Sequence, residues 1–200
     1  MSRNLIAILR GVQPHEVVAL GEQLLQAGIH QIEVPLNSPN ALESIAKLQK
    51  SLGDHAFIGA GTVLSVADAK AVHVHGGEFV VSPNCNSDVI KATKDMGMMS
   101  YPGVLTPTEC FAALDSGADL LKLFPAFLLG VNGFKAIQAV LPNYVECYAV
   151  GGIGSDDFAQ WRTAGIAGFG LASNLYTPGD IPEQVARKAK ILVNAWDDTL

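Results

Sequence analysis

The feature that most constrains this chain is a loose repeat, in which an amphipathic stretch closes on glycine and a short apolar or β-branched run follows at once. It recurs at Gly28 before residues 29–36, Gly53 before 55–60, Gly77 before 78–82, Gly97 before 98–101, Gly117 before 118–124 and Gly165 before 166–171. A helix capped by glycine and followed by a strand gives this pattern. The runs 5–9 and 145–150 raise the strands to eight, each with a helical segment after it, at about 25 residues per unit. Such alternation makes βαβ units and a parallel sheet, and eight units suggest closure into a (β/α)8 TIM barrel, with an open doubly wound sheet as the alternative. These barrels typically take about 250 residues and at least about 200. The expectation is therefore a minimal single domain over residues 1–200, without a large lid. Helix starts are expected at Ser38-Pro39, Thr106-Pro107 and Ser155-Asp156-Asp157.

Hydrophobic residues make up 49% of the chain and charged residues only 16%, so much of it must be buried and a charge within a strand needs a reason. The 20 glycines are assigned to helix caps and to a glycine-rich rim. A net charge of -6 without a basic run argues against nucleic acid and against an anionic membrane surface as partners. No apolar stretch approaches the roughly 18 residues of a membrane span, and the first residues lack the apolar segment of a signal peptide. A cytoplasmic location is expected. Cys85, Cys110 and Cys147 are scattered and form no C-x-x-C pair, which reads as reduced thiols.

Strands of a parallel barrel are covered on both faces and should be almost wholly apolar. Lys122, in Asp119-Leu-Leu-Lys-Leu-Phe-Pro125, breaks that rule. Side chains alternate along a strand, so Lys122 shares a face with Phe124 and opposes Leu121 and Leu123, which directs it into the lumen. Burial lowers a lysine pKa and leaves a neutral amine able to attack a carbonyl, as Schiff-base chemistry requires. The plainer alternative is an edge lysine, or one paired with an interior carboxylate for structure alone. Glu33, in Gln31-Ile-Glu-Val-Pro-Leu36, is either a general acid and base or the partner in such a salt bridge. Arg10 ends the first run and offers a planar fork to a carboxylate. Thr62 and the Ser82-Pro83-Asn84 segment lie on the same expected rim, where a turn or helix cap would explain them equally well.

Val150-Gly-Gly-Ile-Gly-Ser155 and Gly168-Phe-Gly-Leu-Ala-Ser173 place two glycine-rich segments at the ends of the last two strands, where barrels commonly bind phosphate. The candidates there are Gly151, Gly152, Gly170, Leu171, Ala172 and Ser173. No metal is expected, because His15, His30, His55, His73 and His75 have no metal-binding spacing. The nucleophile-elbow, Walker and dinucleotide-binding patterns are also missing.

The segments Leu5-Ile-Ala-Ile-Leu-Arg-Gly11, Ile32-Glu-Val-Pro-Leu-Asn-Ser-Pro39, Ile58-Gly-Ala-Gly-Thr-Val63, Leu121-Lys-Leu-Phe-Pro125 and Ala149-Val-Gly-Gly152 together resemble the KDPG/KHG aldolase family over essentially the full length. The resemblance is strongest to its phosphogalactonate branch, since phosphogluconate-specific members usually carry an arginine roughly where Asn37 stands. It implies a class I aldolase that acts on a phosphosugar acid, releases pyruvate, needs no cofactor and is usually a homotrimer. By the same resemblance, Lys122 forms the Schiff base and Glu33 shuttles protons. Arg10 and Thr62, with Pro83 and Phe124, serve the pyruvoyl end, and the glycine-rich ends hold phosphate. Ala172, the segment Ala126-Phe-Leu-Leu129 and Gly154 depart from the family pattern at the phosphate and aldehyde ends. Other readings are a related aldolase for the phosphogluconate or 4-hydroxy-2-oxoglutarate series, an epimerase-like or thiamine-phosphate synthase-like barrel, and a silent phosphosugar-binding barrel.

Overall fold

The computed structural model describes residues 3–199. Its strands are β1 (Leu5–Ile8), β2 (Gln31–Pro35), β3 (Phe57–Gly61), β4 (Phe79–Val81), β5 (Met99–Tyr101), β6 (Gly103–Val104), β7 (Leu121–Leu123), β8 (Cys147–Val150) and β9 (Gly168–Leu171). The helices are α1 (Val17–Ala27), α2 (Ala41–Leu52), α3 (Val66–Val74), α4 (Ser87–Asp95), α5 (Pro107–Asp115), α6 (Ala126–Gln138), α7 (Phe158–Thr163) and α8 (Pro182–Asp197). All strand pairs are parallel, in the order β5-β4-β3-β2-β1-β9-β8-β7-β6.

The two ends of that order are one strand. Pro102 has no N–H and interrupts the ladder between β5 and β6, so Tyr101 pairs back to Val81 and Gly103 pairs forward to Lys122. Counting them together restores the eight strands expected, and the sheet is a (β/α)8 TIM barrel.

Strand alternation sorts the side chains into two layers. Leu5, Ala7, Ile32, Val34, Ile58, Ala60, Leu121, Leu123, Ala149, Phe169 and Leu171 pack outward with the helices in one large core. Ile6, Phe79, Val81, Tyr101, Leu120 and Tyr148 form a separate cluster that fills the floor of the lumen. Five glycines face that crowded interior. A Cβ at Gly59 would lie 2.5 Å from the Phe79 ring, one at Gly168 2.5 Å from Tyr148, one at Gly61 2.0 Å from the Glu33 carboxyl, one at Gly170 2.8 Å from Val150 and one at Gly103 2.4 Å from the Pro83 backbone. The excess glycine is therefore a lumen feature too, and not only caps and rim.

Two local expectations are corrected. Helix α2 begins at Ala41 behind left-handed Asn40 (φ 44°) and not at Ser38-Pro39. The Ser38 hydroxyl instead accepts the Gly11 N–H at 2.8 Å and ties two rim loops together. Among the glycine caps, Gly28, Gly97, Gly117 and Gly165 have positive φ, whereas Gly53 is right-handed and Gly76 takes the role expected of Gly77. Helix α5 starts as expected, with Thr106 and Glu109 in a reciprocal capping box. Ser155–Asp157 is a 3-10 turn leading into α7. No helix among the described residues is long and apolar enough to cross a membrane.

Candidate active site

Lys122 lies at the centre of β7 and Glu33 at the centre of β2, deeper than the strand ends where the sequence placed Glu33. Register with Ile8 and Gly59 on one side, and with Gly103 and Tyr148 on the other, turns both into the lumen above the aromatic floor. Exposure is 1% for Glu33 and 5% for Lys122.

The structural alternative for these two residues was a salt bridge, and none is present. Among the described residues Glu33 makes no ion pair, and its Oε1 is buried without a hydrogen-bond partner. The Lys122 ammonium group instead lies 4.8 Å from the centroid of the Phe124 ring. Each charge is thus desolvated with little in return. Burial pushes the Lys122 amine below its ordinary value; the Glu33 field opposes this and the Arg10 field adds to it. Burial likewise pushes the Glu33 carboxyl up, with Lys122 and Arg10 pulling it back. The outcome is an amine that loses its proton readily beside a carboxyl that keeps one readily.

Gly61 is the local reason Glu33 fits. It pairs with Pro35 in the β2–β3 ladder, and its missing side chain leaves the space that the carboxyl occupies. The alternating glycines of Ile58-Gly-Ala-Gly-Thr62 could have signalled this, since period-two glycines in a buried strand mark close approach. Thr62 follows with φ 55°, a conformation rare for a β-branched residue. Its Oγ1 accepts a hydrogen bond from Arg10 at 3.3 Å, while Asn37 Oδ1 accepts from the same Arg10 nitrogen at 2.6 Å. Arg10, Thr62, Lys122 and Glu33 therefore gather at one mouth, with partly buried Phe124 and Pro83 beside them. The Phe124–Pro125 peptide is cis.

The two glycine-rich segments meet as expected. Gly151, Gly152, Gly170, Ala172 and Ser173 line a cavity of about 190 Å³, together with Asn174. Leu171 does not line it, because its side chain points outward into the helix layer. Gly168 and Gly170 belong to β9 itself and not to the loop beyond it. Sequence reasoning missed Asn174, whose amide donates to the Ile153 carbonyl at 2.9 Å and couples the two loops. No local pattern announces a contact 21 residues away. Ile153 and Gly154 also line the cavity, but the Gly154 N–H is already used, donating to Asp157 at 2.8 Å. The cavity has no cationic lining, so an anion there would meet backbone N–H groups and the Ser173 hydroxyl.

Residues 2–177 match the family model for KDPG and KHG aldolase. The chain belongs to this aldolase family. It is 42% identical over 196 residues to the 2-dehydro-3-deoxy-6-phosphogalactonate aldolase of Escherichia coli strain K12, covering 98% of this chain and 96% of that one. It is 44% identical to a probable enzyme of the same name from Rhizobium meliloti, covering 98% and 93%. Among solved aldolase structures, native KDPGal superposes with a TM-score of 0.96 at 42% identity, covering 98% of this chain and 95% of that one. A Legionella pneumophila KDPG aldolase with pyruvate captured as a covalent carbinolamine superposes at 0.84 with 26% identity, covering 99% and 94%.

Proposed function

We propose that this aldolase cleaves 2-dehydro-3-deoxy-6-phosphogalactonate to pyruvate and D-glyceraldehyde 3-phosphate through a Schiff base on Lys122. The observation that carries the reading is the pair of buried, oppositely charged side chains, Lys122 and Glu33, with no ion pair between them. Such a pair is costly to keep and suits chemistry in which both charges come and go. The phosphogalactonate assignment is supported by the names of the two relatives above 40% identity, whereas the KHG/KDPG aldolase of Escherichia coli strain K12 is 30% identical over 146 residues.

In this reading, neutral Lys122 attacks the C2 carbonyl and Glu33 supplies and removes the protons of carbinolamine formation and dehydration. The protonated imine draws the electrons of the C3–C4 bond as it breaks, and Glu33 accepts the proton of the C4 hydroxyl as the aldehyde leaves. Protonation of the enamine and hydrolysis return pyruvate and the free amine. Arg10 and Thr62 hold the carboxylate, Phe124 and Pro83 flank the pyruvoyl group, and the cavity around Gly151, Gly152, Gly170, Ala172 and Ser173 takes the phosphate. The chain works as a cytoplasmic homotrimer. That state is supported by exposed Phe127 and Leu128 near the rim, and by a 42%-identical chain in a cage designed by fusing symmetric oligomeric domains.

Treatment with pyruvate and borohydride is expected to add a reduced pyruvyl group at Lys122, located by peptide mass mapping. An unmodified Lys122 under conditions that label a control aldolase defeats the Schiff-base assignment. A coupled assay of pyruvate release from the two C4-epimeric phosphosugar acids, side by side, decides the substrate series.

A further inference from the structure

Arg10 also lies at the mouth, where its field reaches both Glu33 and Lys122, and its hydrogen-bond partners are neutral. One guanidinium nitrogen donates to Asn37 Oδ1 at 2.6 Å and to Thr62 Oγ1 at 3.3 Å. Among the described residues no carboxylate pairs with it, although Arg3, Lys47, Lys94 and Lys188 each have an acidic partner within 4.0 Å. An arginine has donors only, so its neighbour must present an oxygen. An amide oxygen and a carboxylate oxygen have nearly the same shape, and they differ in charge. An aspartate at position 37 would hold the fork in place just as well, but it would also neutralise it.

Resting on the Schiff-base reading above, we infer that Asn37 is a positioning residue that aims the Arg10 guanidinium while leaving its charge uncompensated for the substrate carboxylate. The neutrality of residue 37 is as important as its reach. A charge already satisfied by a neighbour gains less from a second carboxylate than one held by neutral acceptors at an exposed mouth. The same uncompensated charge acts on the two buried groups, favouring the neutral Lys122 amine and the ionised Glu33 carboxyl. Asn37 touches neither of them, and its influence runs through Arg10.

The test uses borohydride trapping on the full chain, with pyruvate and with its uncharged methyl ester, each variant being compared with the wild type for the same probe. For the wild type, trapping at Lys122 with both probes secures the underlying reading, and failure to trap takes the reading and this inference down together. Asn37→Asp is expected to raise the pyruvate concentration for half-maximal trapping at least tenfold, and that for methyl pyruvate, which feels only the altered field on Lys122 and Glu33, by a several-fold smaller factor. Asn37→Ala, which frees the fork without neutralising it, is expected to raise the pyruvate value by less than Asn37→Asp does. If wild type is trapped normally and Asn37→Asp changes neither probe, or shifts both equally, the inference falls and the Schiff-base reading stands. An equal shift would mark Asn37 as a structural support of the loop only.

Discussion

The floor and the mouth of the barrel lumen are built from the same strands by opposite rules. On the floor, Phe79 stacks on Phe57 at 5.0 Å and meets Tyr101 at 5.3 Å, and apolar side chains close the lumen. At the mouth, Lys122, two residues beyond Leu120 of the floor, and Glu33 on β2 are just as buried, but among the described residues they have no ion pair, and a Glu33 carboxyl oxygen is left without a partner. The floor lowers the energy of the fold, while the mouth raises it in a way that leaves bonding capacity for a substrate. The difference shows that burial by itself does not define a core: the same depth serves packing in one layer and reactivity in the next.

Replacing Lys122 tests this contrast most sharply. Lys122→Met is expected to lower pyruvate release by about 10⁴-fold or more, because among the described residues no other lysine is buried. It should melt no lower than the wild type, since an apolar chain replaces an unpaired charge. Its stability relative to the wild type should also depend on pH. The folded amine titrates below its ordinary value of 10.5, so the unfolded chain binds the proton first as pH falls. The wild type should therefore lose stability against Lys122→Met from near pH 10.5 down through the depressed folded value, and denaturant melts at a series of pH values check this. A wild type that gains on the variant as pH falls would show that the amine is paired after all.

Glu33→Gln is expected to cut kcat by about 10²- to 10⁴-fold, the usual weight of a general acid and base, with stability held or raised above the ordinary carboxyl range. Steady-state kinetics and a thermal melt measure both. The floor should respond in the reverse sense. Phe79→Ala is expected to cost about 3–5 kcal/mol of stability, with kcat within a few-fold of the wild type at temperatures where it is folded. The finest division is between two glycines of one strand. Gly59→Ala and Gly61→Ala each overpack the lumen by about 1–3 kcal/mol, but the first presses on the Phe79 ring and the second on the Glu33 carboxyl. Only Gly61→Ala should lower kcat. Equal kcat values for the two would erase the boundary between floor and mouth.

Much of this was legible from local pattern, because a parallel barrel writes its layers into strand alternation. Lys122 and Glu33 stood out as charges within apolar runs, and Arg10 and the two glycine-rich ends fell on the rim that the barrel gathers. Which side chains meet across the lumen and between loops was not read from the sequence. Gly59 fell within an expected strand, but the glycines were assigned to caps and rim, so the space that Phe79 and Glu33 need from Gly59 and Gly61 went unread, and the Asn174 bond to Ile153 joins loops that no motif connects. The start of α2 was misplaced because Ser38, a good cap by type, is drawn to the Gly11 amide. Leu171 was grouped with the phosphate residues by sequence proximity, although alternation already turned its side chain outward.

Pro102 closes the barrel without being able to donate a hydrogen bond, yet its carbonyl accepts the backbone N–H of Lys122 at 2.9 Å. The seam of the sheet and the anchor of Lys122 are thus a single contact. Any loosening that parts β6 from β7 also slackens the main chain that aims the amine at the mouth. In rising denaturant, catalysis should therefore fade while the helices still give their full signal, so that turnover reports the integrity of the seam before any spectroscopic change reports unfolding.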